Sequence, residues 1–205
     1  MKICVLSDIH ANYYALEKVL LSCADWGITN FWCLGDVVGR GPHVIKVLEW
    51  LKSVNDSSIT WVMGNHDLHL MNLLDEEVVK RINGHANTVI SLQREQIAQE
   101  TDIQAYVNRV FIPSNLDPKH CEIDGIHHIL VHGSLSDFAG IYHYLYPWYS
   151  HEILPSEFEK LNMIRKEEGL PVFCWVGHTH VPMMVSSEGG DKCAKAIPVD
   201  RKSVV

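Results

Sequence analysis

One local pattern recurs along the chain and restricts its fold more than any other feature. A short apolar run that reads as a buried strand stops abruptly, and a glycine, aspartate or histidine motif follows at once. Residues 3–7 (ICVLS) end in Asp8 and His10, 30–34 end in Gly35-Asp36, and 59–63 end in Gly64-Asn65-His66-Asp67. Apolar residues at helical spacing separate these runs over 14–24 and 44–51. The order strand, helix, strand, helix, strand predicts a parallel sheet with helices against it. Farther on, Ile123 and 125–131 restore strand signals, 150–168 reads as a helix, and 171–176 as another buried strand. Short runs at 181–186 and 194–199 complete the set. Late strands with few helices between them predict a second sheet packed on the first: an α/β fold, in full a four-layer α/β/β/α sandwich of two mixed sheets flanked by helices. Residues 68–110 carry almost no strand signal and read as a helical insertion within a single domain over 1–205.

Bulk properties narrow the function. Hydrophobic residues form 47% of 205, which suits one domain with a sizeable core. The formal charge of -8 argues against polymeric nucleic acid, whose phosphates demand a basic surface. It leaves room for a small anion if metal ions supply local positive charge. Met1 and Lys2 run straight into a strand broken by Asp8, too short for a secretory core, and no apolar run spans a bilayer. No membrane and a cytoplasmic location are the expectation. Six cysteines are scattered without a C-x-x-C pair, and Cys4, Cys33 and Cys174 sit in apolar runs as small buried hydrophobes.

Thirteen histidines are the unusual count, so their positions matter. His132 follows a strand in LVHGS, and His178 and His180 follow another in WVGHTH. In α/β sheets, ligands gather beyond the carboxyl ends of strands. Asp8, His10, Asp36, Asn65, His132, His178 and His180 would therefore converge on one edge. Imidazole and carboxylate together suit Mn, Fe, Zn or Ni. Seven donors exceed one tetrahedral site and suffice for two ions, which can clamp the attacking and leaving oxygens of a phosphoryl displacement. D-x-H or G-D alone is as easily a turn or a helix cap. GNHD and GHTH carry more weight, because a strand end with a structural role would need apolar or turn residues there.

These motifs in this order resemble the calcineurin-like metallophosphoesterase superfamily, and more closely its small bacterial phosphodiesterase-type members. The loop Gly35-Asp36-Val37-Val38-Gly39-Arg40-Gly41-Pro42, the helix segment Arg94-Glu95-Gln96-Ile97 and the pair Tyr144-Leu145 carry the closer likeness, which extends over residues 2 to about 182. The resemblance implies that Asp8, His10, Asp36 and His180 hold one metal ion. It implies that Asp36, Asn65, His132 and His178 hold the other, with a bridging hydroxide as nucleophile. His66 would donate a proton or hydrogen bond to the leaving oxygen, and Asp67 would orient His66. The implied activity is phosphodiester hydrolysis on a small phosphorylated substrate, a nucleotide among the candidates. A phosphomonoesterase or protein phosphatase, a dinucleoside polyphosphate hydrolase and a non-catalytic metal-bearing scaffold are the alternatives.

Several features have two readings. Arg40 sits where the phosphoprotein phosphatase branch has a phosphate-gripping arginine, but Gly39 replaces that branch's aspartate. Arg40 is therefore either a phosphate ligand beside the catalytic pair or a solvated loop residue. The aromatic stretch 142–149 is either packing, including a homo-oligomer interface, or a wall for a nucleobase. His69 lies close enough to GNHD to reach the pocket. The acidic run Asp75-Glu76-Glu77 reads as a solvated helix start. Relatives continue beyond GHTH with an asparagine-proline-glycine-serine turn, and 193–205 lacks it.

Overall fold

The computed structural model describes residues 1–82, 84–143, 145 and 153–181, with the backbone of 183–187 and 194–198. In chain order the elements are β1 (Ile3–Leu6), α1 (Tyr13–Asp25), β2 (Asn30–Cys33), α2 (Val44–Ser53), β3 (Ile59–Trp61), α3 (Asn65–Leu70), α4 (Glu76–Arg81), α5 (Gly84–Gln99) and α6 (Thr101–Val110). There follow β4 (Lys119–Ile123), β5 (Ile126–Leu130), α7 (Ile153–Glu168), β6 (Val172–Trp175), β7 (Met183–Ser187) and β8 (Ala194–Pro198). The expected strands and helices are present, most with ends shifted by a residue or two; β4 begins four residues before the expected Ile123, and the helix expected from residue 150 is described from Ile153.

Period-two alternation in β1 and β2 sets the layers. Cys4, Leu6, Phe31 and Cys33 point to one face, where they pack with Leu16 of α1, Leu48 of α2, Ile90 of α5 and Val107 of α6. Trp32 and Leu34, with Ile3 and Val5, point to the other face. There they meet Cys121 and Ile123 of β4 and Leu130 of β5, so the two sheets stack directly. Each fully buried aliphatic side chain in these layers contributes about 1.5–3 kcal/mol. Helix α7 lies against β6 and forms the fourth layer.

Among the described residues the first sheet, ordered β1-β2-β3, is parallel throughout. Mixing is confined to the second sheet, where β4 pairs antiparallel and β6 parallel with β5. Strands β7 and β8 form a separate antiparallel ladder. The helical region begins at Asn65, earlier than the expected residue 68, because α3 grows directly from the GNHD motif. Asp75 stands at the N-cap position of α4 without a side-chain cap bond, and Glu76 and Glu77 fill the first turn, as expected of a helix start. Cys4 and Cys33 are buried and free, and Cys174 is free but only half-buried. No helix among the described residues is long and apolar enough to cross a membrane. Tyr144, residues 146–152 and residues 188–193 and 199–205 lie outside the described set, and with them most of the aromatic stretch.

Candidate metal centre

The loops after β1, β2, β3, β5 and β6 meet at one end of the stacked sheets, zipped together by backbone hydrogen bonds. Asp8 N–H donates to Gly35 O at 3.0 Å, His10 N–H to Asp36 O at 2.9 Å, and Gly177 N–H to His132 O at 2.9 Å. The winding of these loops is unusual. Asp8, His10, Asp36, His178 and His180 all have φ between 50° and 68°, the left-handed region that costs an L residue about 1–2 kcal/mol. Such conformations persist only where the surroundings enforce them, and they cluster at functional sites.

Side-chain geometry gives two overlapping groups of donors. Asp8, His10 and His180 offer ligand atoms within 4.8 Å of one another, and so do Asp36, His132 and His178. His10 Nε2 lies 3.1 Å from His180 Nε2, and His180 Nε2 lies 3.2 Å from Asp8 Oδ1. Asp36 Oδ2 stands between the groups, 3.7 Å from His10 Nε2 and 3.4 Å from His132 Nε2. Its other oxygen accepts the His66 backbone N–H at 2.8 Å, which fixes the carboxylate plane. Asn65 Oδ1 and His132 Nε2 are buried without a hydrogen-bond partner. Orphaned acceptors of this kind cost a folded protein free energy unless something electropositive meets them.

The ring tautomers favour a cation. His10 Nδ1 lies 3.0 Å from Val38 O and His132 Nδ1 2.6 Å from Leu34 O. A carbonyl can only accept, so each Nδ1 carries a proton, and in the neutral ring the Nε2 lone pair turns into the site. Burial lowers the pKa of His10 and of His178 to about 4, leaving both neutral. His132 differs: burial opposes its charge, but Asp36 beside it raises the value to about 9. Burial also opposes ionisation of Asp36, yet His132 and its neighbours hold that carboxyl below the usual range. The donor set therefore fits divalent ions, and His132 would release a proton on ligation.

Asp67 is corrected. It does not orient the His66 ring. Its carboxylate accepts N–H groups from Asp36 at 2.8 Å, Gly64 at 2.9 Å, Val37 at 3.0 Å and Val38 at 3.2 Å. Burial and the charge of Asp36 push it up to about 7 while the amides pull it down. Four donors on two oxygens leave no lone pair for a proton, so the group is anionic. Asp67 thus acts on Asp36, by holding the loop on which that residue sits. His66 Nδ1 makes no hydrogen bond and abuts Gly39, where any Cβ would land on that nitrogen. With φ at 91°, Gly39 is barred to other residues twice over. This explains why aspartate is absent there. Burial, reinforced by Arg40, holds the His66 imidazole below its usual pKa, although Asp36 opposes.

Two residues outside the expected set complete the frame. Gln93 of α5 is buried, accepts from Gly39 N–H at 2.8 Å and donates to Gly41 O at 2.7 Å, gripping the backbone on both sides of Arg40. Arg94 donates to Leu70 O at 2.8 Å and to His69 O, satisfying carbonyls at the end of α3. His69 does not reach the pocket. It is buried and bonds Asn87 Oδ1 at 2.8 Å, tying α3 to α5. Arg40 is exposed and lines a cavity of about 480 Å³ together with Asp36, Asn65, His66, His178 and His180.

Comparison with known proteins agrees with this geometry. The family model described as calcineurin-like phosphoesterase matches residues 1–182. The uncharacterized protein MJ0912 of Methanocaldococcus jannaschii is 30% identical over 197 residues, covering 91% of this chain and 65% of that protein. The symmetrical bis(5'-nucleosyl)-tetraphosphatase of Edwardsiella ictaluri is 42% identical over 73 residues, covering 35% of this chain and 25% of that enzyme. A crystal structure of a metallophosphoesterase from Sphaerobacter thermophilus superposes with a TM-score of 0.57 at 28% identity, covering 89% of this chain and 62% of that one. The chain thus spans less than two thirds of each of these relatives.

Proposed function

This chain belongs to the calcineurin-like phosphoesterase family, and from that premise we propose that it hydrolyses phosphodiesters with two divalent ions. Residues 1–205 act as one unit, and residues of α3, α4 and α5 line the side of the site. The carrying observation is the position of Asp36 Oδ2, which faces His10 on one side and His132 on the other. Asp8, His10, Asp36 and His180 are the ligands of one ion. Asp36, Asn65, His132 and His178 are those of the second. When bound, such ions lower the pKa of a water and neutralise phosphate oxygens.

The chain's own residues bind and orient the substrate. Arg40 pairs with a phosphate oxygen at the cavity rim. His66 donates its remaining N–H to the leaving oxygen, and its neutral ring keeps that single proton on the nitrogen away from Gly39. Asp67 keeps Asp36 in register through the amides of the loop. The diester reading rests on the likeness of the Gly35–Pro42 loop to that of small bacterial phosphodiesterase-type members.

The identity with the tetraphosphatase of Edwardsiella ictaluri supports a second reading, a dinucleoside polyphosphate as substrate. Assays with bis(4-nitrophenyl) phosphate, 4-nitrophenyl phosphate and diadenosine tetraphosphate, each with manganese, separate these. We expect the diester to exceed the monoester in kcat/KM. A strong monoester preference sinks the diesterase reading, and turnover of the tetraphosphate far above both favours the second.

A further inference from the structure

A second cavity, of about 390 Å³, shares Arg40, Asn65 and His66 with the metal cavity and runs from there along α4 and α5. Its composition is unlike the rest of the molecule. The chain has 25 acidic against 17 basic residues, yet no carboxylate lines this cavity among the described residues, and two arginines do. Neither Arg40 nor Arg81 forms an ion pair among the described residues. Arg81 is exposed, at the last turn of α4. Much of the remaining wall is apolar, from Leu74, Val78, Ile82 and Ile141, with His85 and Tyr142 adding polar atoms. Two guanidinium groups without an ion pair on a largely apolar cleft are a layout for an anion, a ring and a further anion.

We propose that this cleft is the subsite for the leaving-group portion of the substrate, with Arg81 binding a second anionic group and the α4–α5 wall taking a flat ring. The inference rests on the hydrolase reading only for the position of the reacting phosphate, which sits where the cavities share Arg40 and His66. It names the substrate class as nucleotide-like, with more than one phosphate. Substrates lacking a second anion still react but gain nothing from Arg81. Arg81 is exposed and forms no ion pair among the described residues, so its removal leaves the packing of α4 unchanged.

The test uses the full manganese-loaded chain and calorimetric titration with ADP and with inorganic phosphate. Wild type binds ADP more tightly than phosphate. Arg81→Ala weakens ADP about tenfold, the loss of one hydrogen-bonded charge contact, and leaves phosphate within twofold. Arg81→Glu weakens ADP further. Ile82→Asp, which places charge on the apolar wall, weakens ADP and spares phosphate. An equal loss for both ligands, or no loss for ADP in Arg81→Ala, overturns the subsite. Cleavage of bis(4-nitrophenyl) phosphate is followed separately: if it fails while the ADP pattern appears, the hydrolase reading falls and the subsite stands.

Discussion

The two donor groups differ in their access to water. Asp36 and His132 are sealed, with side chains 2% and 0% exposed, whereas the side chain of His180 is 41% exposed beside Asp8. Both groups reach the cavity, the first through His180 and the second through Asp36, Asn65 and His178, but only His180 meets solvent over much of its surface. The more buried group carries the orphan on His132, and the raised pKa of that ring means a proton must leave before an ion is held there. The more exposed position, at His180, is the one solvent reaches first.

Losing the carboxylate shared by both groups is the hardest blow to the comparison. Asp36→Ala removes the common oxygen, and turnover should drop by about 10³-fold or more. Metal analysis should show both positions depleted. If one ion remains at full occupancy, the groups are independent and Asp36 does not bridge. His66→Ala comes next, with a loss of about 10²-fold and unchanged metal content. An unchanged rate removes His66 from the reaction.

Metal removal sharpens the contrast between positions. A chelator should strip the ions in two phases, the open position first. His180→Ala should abolish the fast phase alone, and a single phase in the wild type would contradict the asymmetry. Complete removal should cost about 2.7 kcal/mol for an ion held at 100 times its Kd. For a chain of this size that is a fall in Tm of about 5–10 °C. A melting curve that ignores chelator would argue that no ion is held. Gln93→Leu acts on stability and has the least effect on the metal comparison itself; it leaves Gly39 N–H and Gly41 O without partners, at about 1–3 kcal/mol each. Its stability loss should exceed that of Gln96→Leu, an exposed neighbour on the same helix.

How much of this was legible in the sequence depends on the kind of signal. Strand ends at Leu6, Cys33 and Trp61 follow from apolar runs cut by polar motifs, and convergence of the motifs follows from parallel topology. The donor types at 8, 10, 36 and 178 are visible as letters. The role of Asp67 is not: an aspartate after a histidine suggests a side-chain partner, and nothing in the letters shows four amides pointing at it. Gln93 and Arg94 were also hidden. Glutamine and arginine are ordinary residues on the exposed face of a helix, and only packing reveals that these two face inward. His69 misled because nearness along the chain is not nearness in space, and a helical turn carries it away toward Asn87. The layout of the Arg81 cleft depends on how α4 meets the strand-end loops, which no local pattern encodes.

His10 and His180 touch at 3.1 Å across 170 positions of chain. A growing polypeptide on the ribosome displays the amino-terminal donors long before their distant partner has been synthesised. The full donor set comes together only after translation has passed residue 180, so a nascent fragment halted earlier displays part of it alone.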